Sequence, residues 1–399
     1  MRNRNARSRS RDGSHGRLPA LSVTRTERDA ALRIHRDLPV TDGHNDLPWA
    51  IRVRAGGSLD VADPRTRLDG YHTDFPRLRE GGVGAQFWSV YVPAWSTSPL
   101  RETIEQIDLV RRMSAMAPEW TELAVGSDDV EHIRASGRIA GLLGAEGGHS
   151  IENSLAGLRA LGDLGVRYMT LTHIDTIDWA DSATDEPRHG GLTDFGRDVV
   201  REMNRLAMLV DISHVSVDTM WDALEVSATP VIASHSSTAA LASHPRNLPD
   251  DVLEAVGRSG GVVMINFYPG FVVAEAAEQS LDLFAEARRL HAELSDDKAL
   301  EEAMRRMAED DPMEPGSVAD VVDHIEHAVR VAGVDHVGLG SDFDGIDVVP
   351  VGLEDVSCYP NVTAELLGRG WDEQAIRNVL GENALRVLRK AEQIAASLS

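Results

Sequence analysis

Eight short β-type runs, most of them separated by helix-favouring stretches, leave this chain very few folds to adopt. The first run ends at Leu38-Pro39-Val40. The others are Val83–Val92, Arg138–Gly147, Val166–His173, Met208–His214, Pro230–His235, Gly261–Phe267 and His336–Phe343. Most are apolar throughout rather than alternating, as strands covered on both faces are. Between them lie Ala-, Leu- and Arg-rich stretches such as Ser150–Leu161, Phe195–Leu206 and Val217–Val226, and Thr26–Arg36 precedes the first run. This alternation predicts an α/β fold, the (β/α)8 TIM-type barrel. An open doubly wound sheet is the alternative, weakened because no Gly-x-Gly-x-x-Gly joins a strand to a following helix. Two additions stand out. Residues 274–315 are acidic and helix-favouring, an inserted helical excursion whose charges read as a solvated face. Asp372–Ser399 reads as a pair of helices packed outside the barrel. Residues 1–25 read as a disordered, Arg-rich tail, leaving 26–399 as one domain.

The formal charge of -24 argues against nucleic acid as the main partner, since a phosphate backbone would be repelled. No apolar run approaches the ~18 residues of a membrane helix, and no signal-peptide pattern is visible. Cys358 is the single cysteine, which excludes an intrachain disulfide and fits a reducing compartment, so a cytoplasmic location is expected.

In such a barrel, catalytic groups gather where the strands end. The first strand leads into Asp42-Gly43-His44-Asn45-Asp46, the third ends in Glu146 and the fourth in His173. The fifth ends in Asp211 and His214, the sixth in His235, and the eighth in Asp342 and Asp344. Histidines and carboxylates at six of eight strand ends suit two divalent ions such as zinc. Two ions ~3.5–4 Å apart share a ligand, and Glu146 is the candidate bridge. A carboxylated lysine is nearly closed as the alternative: Lys298 lies in the acidic insert and Lys390 in the terminal helix.

These motifs resemble those of the renal (membrane) dipeptidase family of binuclear zinc barrel peptidases. The resemblance runs from Leu38 to the C-terminal helices. It rests on Asp42-Gly43-His44-Asn45-Asp46-Leu47-Pro48, Glu146-Gly147-Gly148-His149-Ser150-Ile151, Thr170-Leu171-Thr172-His173, His214-Val215-Ser216, Ser234-His235-Ser236-Ser237, Arg246-Asn247 and Asp342-Phe343-Asp344-Gly345. It implies two Zn2+ per chain, one held by His44, Asp46 and Glu146 and the other by Glu146, His214 and His235. It further implies His173 and Arg246 as substrate contacts, Asp342 as the proton-transfer group, and a homodimer. Expected substrates are dipeptides, including those with a C-terminal D-residue, attacked by a hydroxide between the ions. Trp49 is a candidate pocket wall, and His149 a support for Glu146. Asp211 is expected to be structural, and His324 and His327 surface or packing residues. Phe271 stands where an aromatic hydroxyl can appear in the family, so side-chain preference does not carry over. Competing readings are another binuclear amidohydrolase, acting on a lactone, cyclic amide, β-lactam or phosphoester, and a catalytically silent metal-binding scaffold.

Overall fold

The computed structural model describes residues 24–294 and 297–398. Most of the expected tail, residues 1–23, lies outside the described residues, as does Ser399. Thr24 and Arg25, counted with the tail above, instead open the first helix. Thr24 Oγ1 accepts from Glu27 N at 3.2 Å, and the Glu27 carboxylate accepts from Thr24 N at 2.7 Å, a capping box that starts Arg25–Asp37.

Among the described residues nine strands follow: β1 (Val40–Asn45), β2 (Val83–Ser89), β3 (Thr121–Leu123), β4 (Ile139–Glu146), β5 (Val166–Thr170), β6 (Leu209–Asp211), β7 (Ile232–Ala233), β8 (Val262–Ile265) and β9 (Val337–Leu339). Every pairing between them is parallel. They run β2-β1-β9-β8-β7-β6-β5-β4, and a β2–β4 pairing closes the ring. Seven of the eight barrel strands fall on the expected runs. The first is displaced, since β1 shares only Val40 with Leu38–Val40 and continues through Asn45, the stretch expected to follow the strand. The unexpected β3 lies outside the ring, pairing with the first half of β4 through Thr121–Leu123 against Ile139–Gly141. Three residues are too few to leave a periodic signal.

Strand parity divides the apolar residues into two cores. Ala85, Phe87, Ala140, Leu142, Tyr168, Leu209, Ile232, Val262 and Met264 share one cluster with Ala384, Val387, Leu388 and Ala391 of the helix Asn383–Leu398. Alternate residues such as Trp88, Val90, Leu143 and Ala145 belong to the larger cluster made with the surrounding helices. The terminal helix therefore packs on barrel-lining side chains, forming a floor to the ring, and is not simply an outer addition. Its charged residues fasten the rim: Glu392 accepts from Ser127 N and Oγ at 2.7 and 2.6 Å, and Arg386 donates to Gly260 O at 2.7 Å.

The segment expected to be helical over Ser150–Leu161 is broken. A single 3-10 turn, Gly148–Ile151, is followed by Glu152 and Asn153 with left-handed backbone before Ser154 caps Leu155–Asp163. The excursion is present as helices Ala274–Glu293 and Asp297–Asp310, ahead of Val318–Ala332. Among the described residues no helix is long and apolar enough to cross a membrane.

Candidate active site

At the carboxyl ends of the strands, Glu146 is the centre of a ring of imidazoles. Its Oε2 lies 3.4 Å from His44 Nε2. Its Oε1 lies 3.1 Å from His214 Nε2, 3.5 Å from His235 Nε2 and 3.6 Å from His173 Nε2. His44 Nε2 is also 3.1 Å from Asp46 Oδ2. The register of β1 against β2 shifts between Asp42 and Asn45, an irregularity that re-aims this strand end. Left-handed backbone at His214 (φ +67°) and Asp342 (φ +67°) marks two sharp turns at the site. Non-glycine residues adopt that region rarely, histidine and aspartate more readily than most. Close approach demands glycine beside them: a Cβ on Gly345 would sit 2.3 Å from Asp46 Oδ2 and 2.7 Å from Asp342 Oδ1.

The outer contacts of these rings set which nitrogen faces inward. Asp211 accepts from Ser213 N (3.1 Å), Ser234 N (2.9 Å), Thr170 Oγ1 (2.6 Å) and Ser234 Oγ (2.6 Å). The one Ser234 hydroxyl proton is thus committed to Asp211. His235 Nδ1, 2.7 Å from Ser234 Oγ, must then carry a proton and donate it, leaving a lone pair on Nε2. His44 Nδ1 meets Tyr168 Oη at 2.7 Å. Room for the Tyr168 ring comes from Gly144, where a Cβ would stand 2.1 Å from Cζ.

Burial holds His214 and His235 well below the ordinary histidine range, and lowers His173 to about 4. Burial alone would raise Glu146, but His44 and His173 overcome it and keep the carboxyl well below its usual range. The result is three neutral imidazoles, His173, His214 and His235, facing a carboxylate. Burial would lower His44 too, but Tyr168, Glu146 and Asp46 overcome it and raise that ring well above the ordinary histidine range. His214 Nε2 and His235 Nε2 lie 2.8 Å apart, and His44 Nε2 and Asp46 Oδ1 are buried with no hydrogen-bond partner. Acceptors converging on acceptors in this way fit divalent cations with nitrogen and oxygen ligands. Three sets of donor atoms, each within 4.8 Å, can hold one: His44, Glu146 and His235; Glu146, His173 and His214; His44, Asp46 and Asp342. Glu146 belongs to two of them, as a bridging carboxylate would. These sets divide the ligands differently from the two triplets that the resemblance implies.

His173 lies about as near Glu146 as His235 does, but its side chain is 16% exposed against 1%, and it lines the open cavity. Asp342 Oδ2 accepts from Asn266 Nδ2 at 2.9 Å. Its carboxyl is raised to about 7, first by burial and further by the neighbouring Asp46 and Glu146. Trp49 lines the cavity edge-on to Tyr91, with centroids 4.9 Å apart. Arg246 does not line the open cavity. It lies behind Phe271, its guanidinium 5.1 Å from that ring, donating to Ser236 Oγ and His235 O, both at 3.2 Å. Both acceptors are neutral, Nε has no partner, and burial lowers the group to about 10. The nearby surface carboxylate in the sequence, Asp250, pairs with His327 at 2.7 Å and not with Arg246.

Asp344 lines the cavity together with Asp342 and accepts from His72 N at 2.8 Å. His149 Nε2 bonds Val92 O at 2.9 Å, holding the loop that follows Glu146. His324 and His327 are buried packing residues. Three contributors were missed. Ser89 Oγ donates to Glu146 Oε2 at 3.1 Å, Asn266 holds Asp342, and Tyr168 meets His44. Ser89 and Asn266 occupy the two strand ends without an ionisable group, and that gap was the available signal.

Compared with known proteins, the chain matches the model of the membrane dipeptidase family (peptidase family M19) over residues 28–399. It is similar to Dipeptidase 3 of Mus musculus, 40% identical over 374 residues, covering 92% of this chain and 67% of that protein. It is similar to Dipeptidase tcpJ of Claviceps purpurea, 42% identical over 370 residues, covering 89% of this chain and 78% of that protein. The fold is like that of the probable dipeptidase PvdM from Pseudomonas aeruginosa, with a TM-score of 0.78 at 24% identity, over 93% of this chain and 99% of that one.

Proposed function

Because the chain belongs to the membrane dipeptidase family of metallopeptidases, which hydrolyse peptide bonds, we propose that it is a two-zinc dipeptidase whose substrates include L-Xaa-D-Xaa peptides. The observation that carries this reading is the placing of four imidazoles around Glu146, with the buried cation Arg246 behind them. His44, Asp46, Glu146, His214 and His235 would hold two divalent ions, with Glu146 between them. Bound there, the ions supply a water that ionises near neutral pH and a Lewis acid for the scissile carbonyl.

The chain's own residues do the rest. Asn266 fixes one oxygen of Asp342, leaving the other to take a proton from the attacking water and return it to the leaving amine. His173 reaches the cavity as a neutral ring and donates to the oxyanion of the tetrahedral intermediate. Arg246 lacks an anionic hydrogen-bond partner, a costly state for a buried guanidinium, and the substrate's free carboxylate supplies the missing charge. That requirement places the scissile bond next to a free C-terminal carboxylate. Trp49 and Tyr91 also wall the cavity, Tyr91 packing on His173 with centroids 4.8 Å apart.

Metal analysis and hydrolysis of a small panel of L-L and L-D dipeptides, for wild type and Asp342→Asn, test this reading. Two zincs per chain are expected, with cleavage that collapses at least 100-fold in the variant while the metal stays, the scale of a lost general acid-base group (about 10²–10⁴). Metal without peptide cleavage would move the substrate to another amide or ester. No stoichiometric metal would overturn the site assignment.

A further inference from the structure

The acidic excursion is amphipathic, and its apolar face lines the site. Helix Ala274–Glu293 places Leu283, Phe284 and Ala287 at i, i+1 and i+4. Helix Asp297–Asp310 places Leu300, Met304 and Ala308 at i, i+4 and i+8, so each set shares one side of its helix. All six line the cavity of about 320 Å³ that also reaches Glu146, His173, His214 and Asp342. Glu275, Asp282 and Arg289 stay exposed. The first helix is fastened to the loop that carries His173. Arg288 donates to Ile174 O at 2.5 Å and to Thr184 Oγ1 at 3.4 Å, and pairs with Asp175 at 3.2 Å. Phe284 also ends a row of groups leading back to the buried cation. It stacks on Phe271 with centroids 6.2 Å apart and planes 13° from parallel, and Phe271 in turn faces Arg246 at 5.1 Å.

We propose that these two helices form the specificity wall of the site, with Leu283 and Phe284 receiving a bulky apolar side chain on the C-terminal residue of the dipeptide. The inference rests on the dipeptidase reading, in which Arg246 holds that residue's carboxylate. Phe271 stands between Arg246 and Phe284, so a residue whose carboxylate reaches past that ring to Arg246 directs its side chain along the ring row towards Phe284. Leu283 and Phe284 are half-buried, so an apolar group laid on them removes surface from water on both partners. Charged or small C-terminal side chains gain nothing from this wall.

The test compares kcat/KM for Ala-Gly and Ala-Leu, with Leu-Gly as the N-terminal counterpart, in zinc-loaded wild type, Phe284→Ala and Ala287→Trp. The expected Ala-Leu over Ala-Gly preference of wild type is about tenfold or more, the scale for an apolar pocket that distinguishes a few methylenes. It falls severalfold in Phe284→Ala, which opens the wall, and in Ala287→Trp, which fills the space in front of it. The Leu-Gly to Ala-Gly ratio stays as in wild type. An unchanged Ala-Leu to Ala-Gly ratio in both variants overturns the proposal and leaves the dipeptidase standing. A shift confined to the Leu-Gly ratio also overturns it. Should Phe284→Ala lose activity on every substrate through misfolding, seen as a lowered melting temperature, the Ala287→Trp ratio decides. Failure of wild type to cleave any of the three sinks the dipeptidase reading and this proposal with it.

Discussion

Deleting one hydroxyl, in Ser234→Ala, separates the orientation of a ligand from its mere presence. Ser234 Oγ joins Asp211 Oδ2 at 2.6 Å to His235 Nδ1 at 2.7 Å. Without it, nothing obliges the His235 proton to stay on Nδ1, and the tautomer with a proton on Nε2 cannot bind a cation. Loss of such an outer partner typically weakens metal affinity about 10–100-fold, or roughly 1.4–2.7 kcal/mol. An independent route reaches the same size: a buried N–H left without an acceptor costs about 1–3 kcal/mol. Thr170→Val is the control. Its hydroxyl donates to the same Asp211 oxygen at 2.6 Å but makes no hydrogen bond to His235. It should cost about 1 kcal/mol of folding stability and leave metal binding close to wild type. The assay is competition with a chelator of known affinity, alongside urea unfolding of each variant. Metal affinity unchanged in Ser234→Ala would refute the reasoning. Equal weakening in Thr170→Val would refute it too, by showing that packing around Asp211 and not the tautomer of His235 is what matters.

Two further outcomes follow from the same geometry. Cations bound only by the folded chain stabilise it by mass action, so free zinc at 100 times its dissociation constant should add about 2.7 kcal/mol over chelator-treated protein; equal melting temperatures in zinc and in chelator would remove the ions from the fold. Acid should destabilise the protein through two histidines outside the proposed ligand set. Burial lowers both His35 and His324 to about 4, outweighing the hydrogen bonds to Gly81 O and Val272 O that favour the charged ring; Thr363 Oγ1 meets the second nitrogen of His35 and Thr238 N that of His324. The unfolded chain protonates them first, so stability is intact above pH 6.5 and falls as the pH drops towards 4, by about 2–3 kcal/mol per ring at pH 4.5. Urea unfolding between pH 7 and 4.5 reads this slope, which His324→Phe should flatten even though it lowers stability at pH 7; a slope that this variant does not change would show that the ring is already charged in the fold.

What the chain reveals before folding depends on whether a residue's role is carried by its type or by its neighbours. Seven of the eight barrel strands are legible because burial on both faces forces continuous apolar runs, as in Ala85, Phe87 and Trp88 of β2. His44, Glu146, His214, His235 and Asp342 are legible because ionisable groups ending such runs are expensive to bury without a purpose. Ser89, Asn266 and Ser234 carry no such mark: hydroxyl and amide residues at a strand end are ordinary loop chemistry. Their roles exist only once closure sets β2 beside β4 and β8 beside β9, which brings Ser89 to Glu146 and Asn266 to Asp342. Tyr168 is hidden differently, because an aromatic residue in a strand needs no explanation until its hydroxyl meets His44. The acidic excursion shows the same limit. Glu275, Asp282, Arg289 and their neighbours dominate its composition and describe only the solvated side. Leu283, Phe284 and Met304 acquire their meaning from what the two helices face, and that face is set by anchors such as Arg288 on Ile174 O, a contact between residues 114 positions apart.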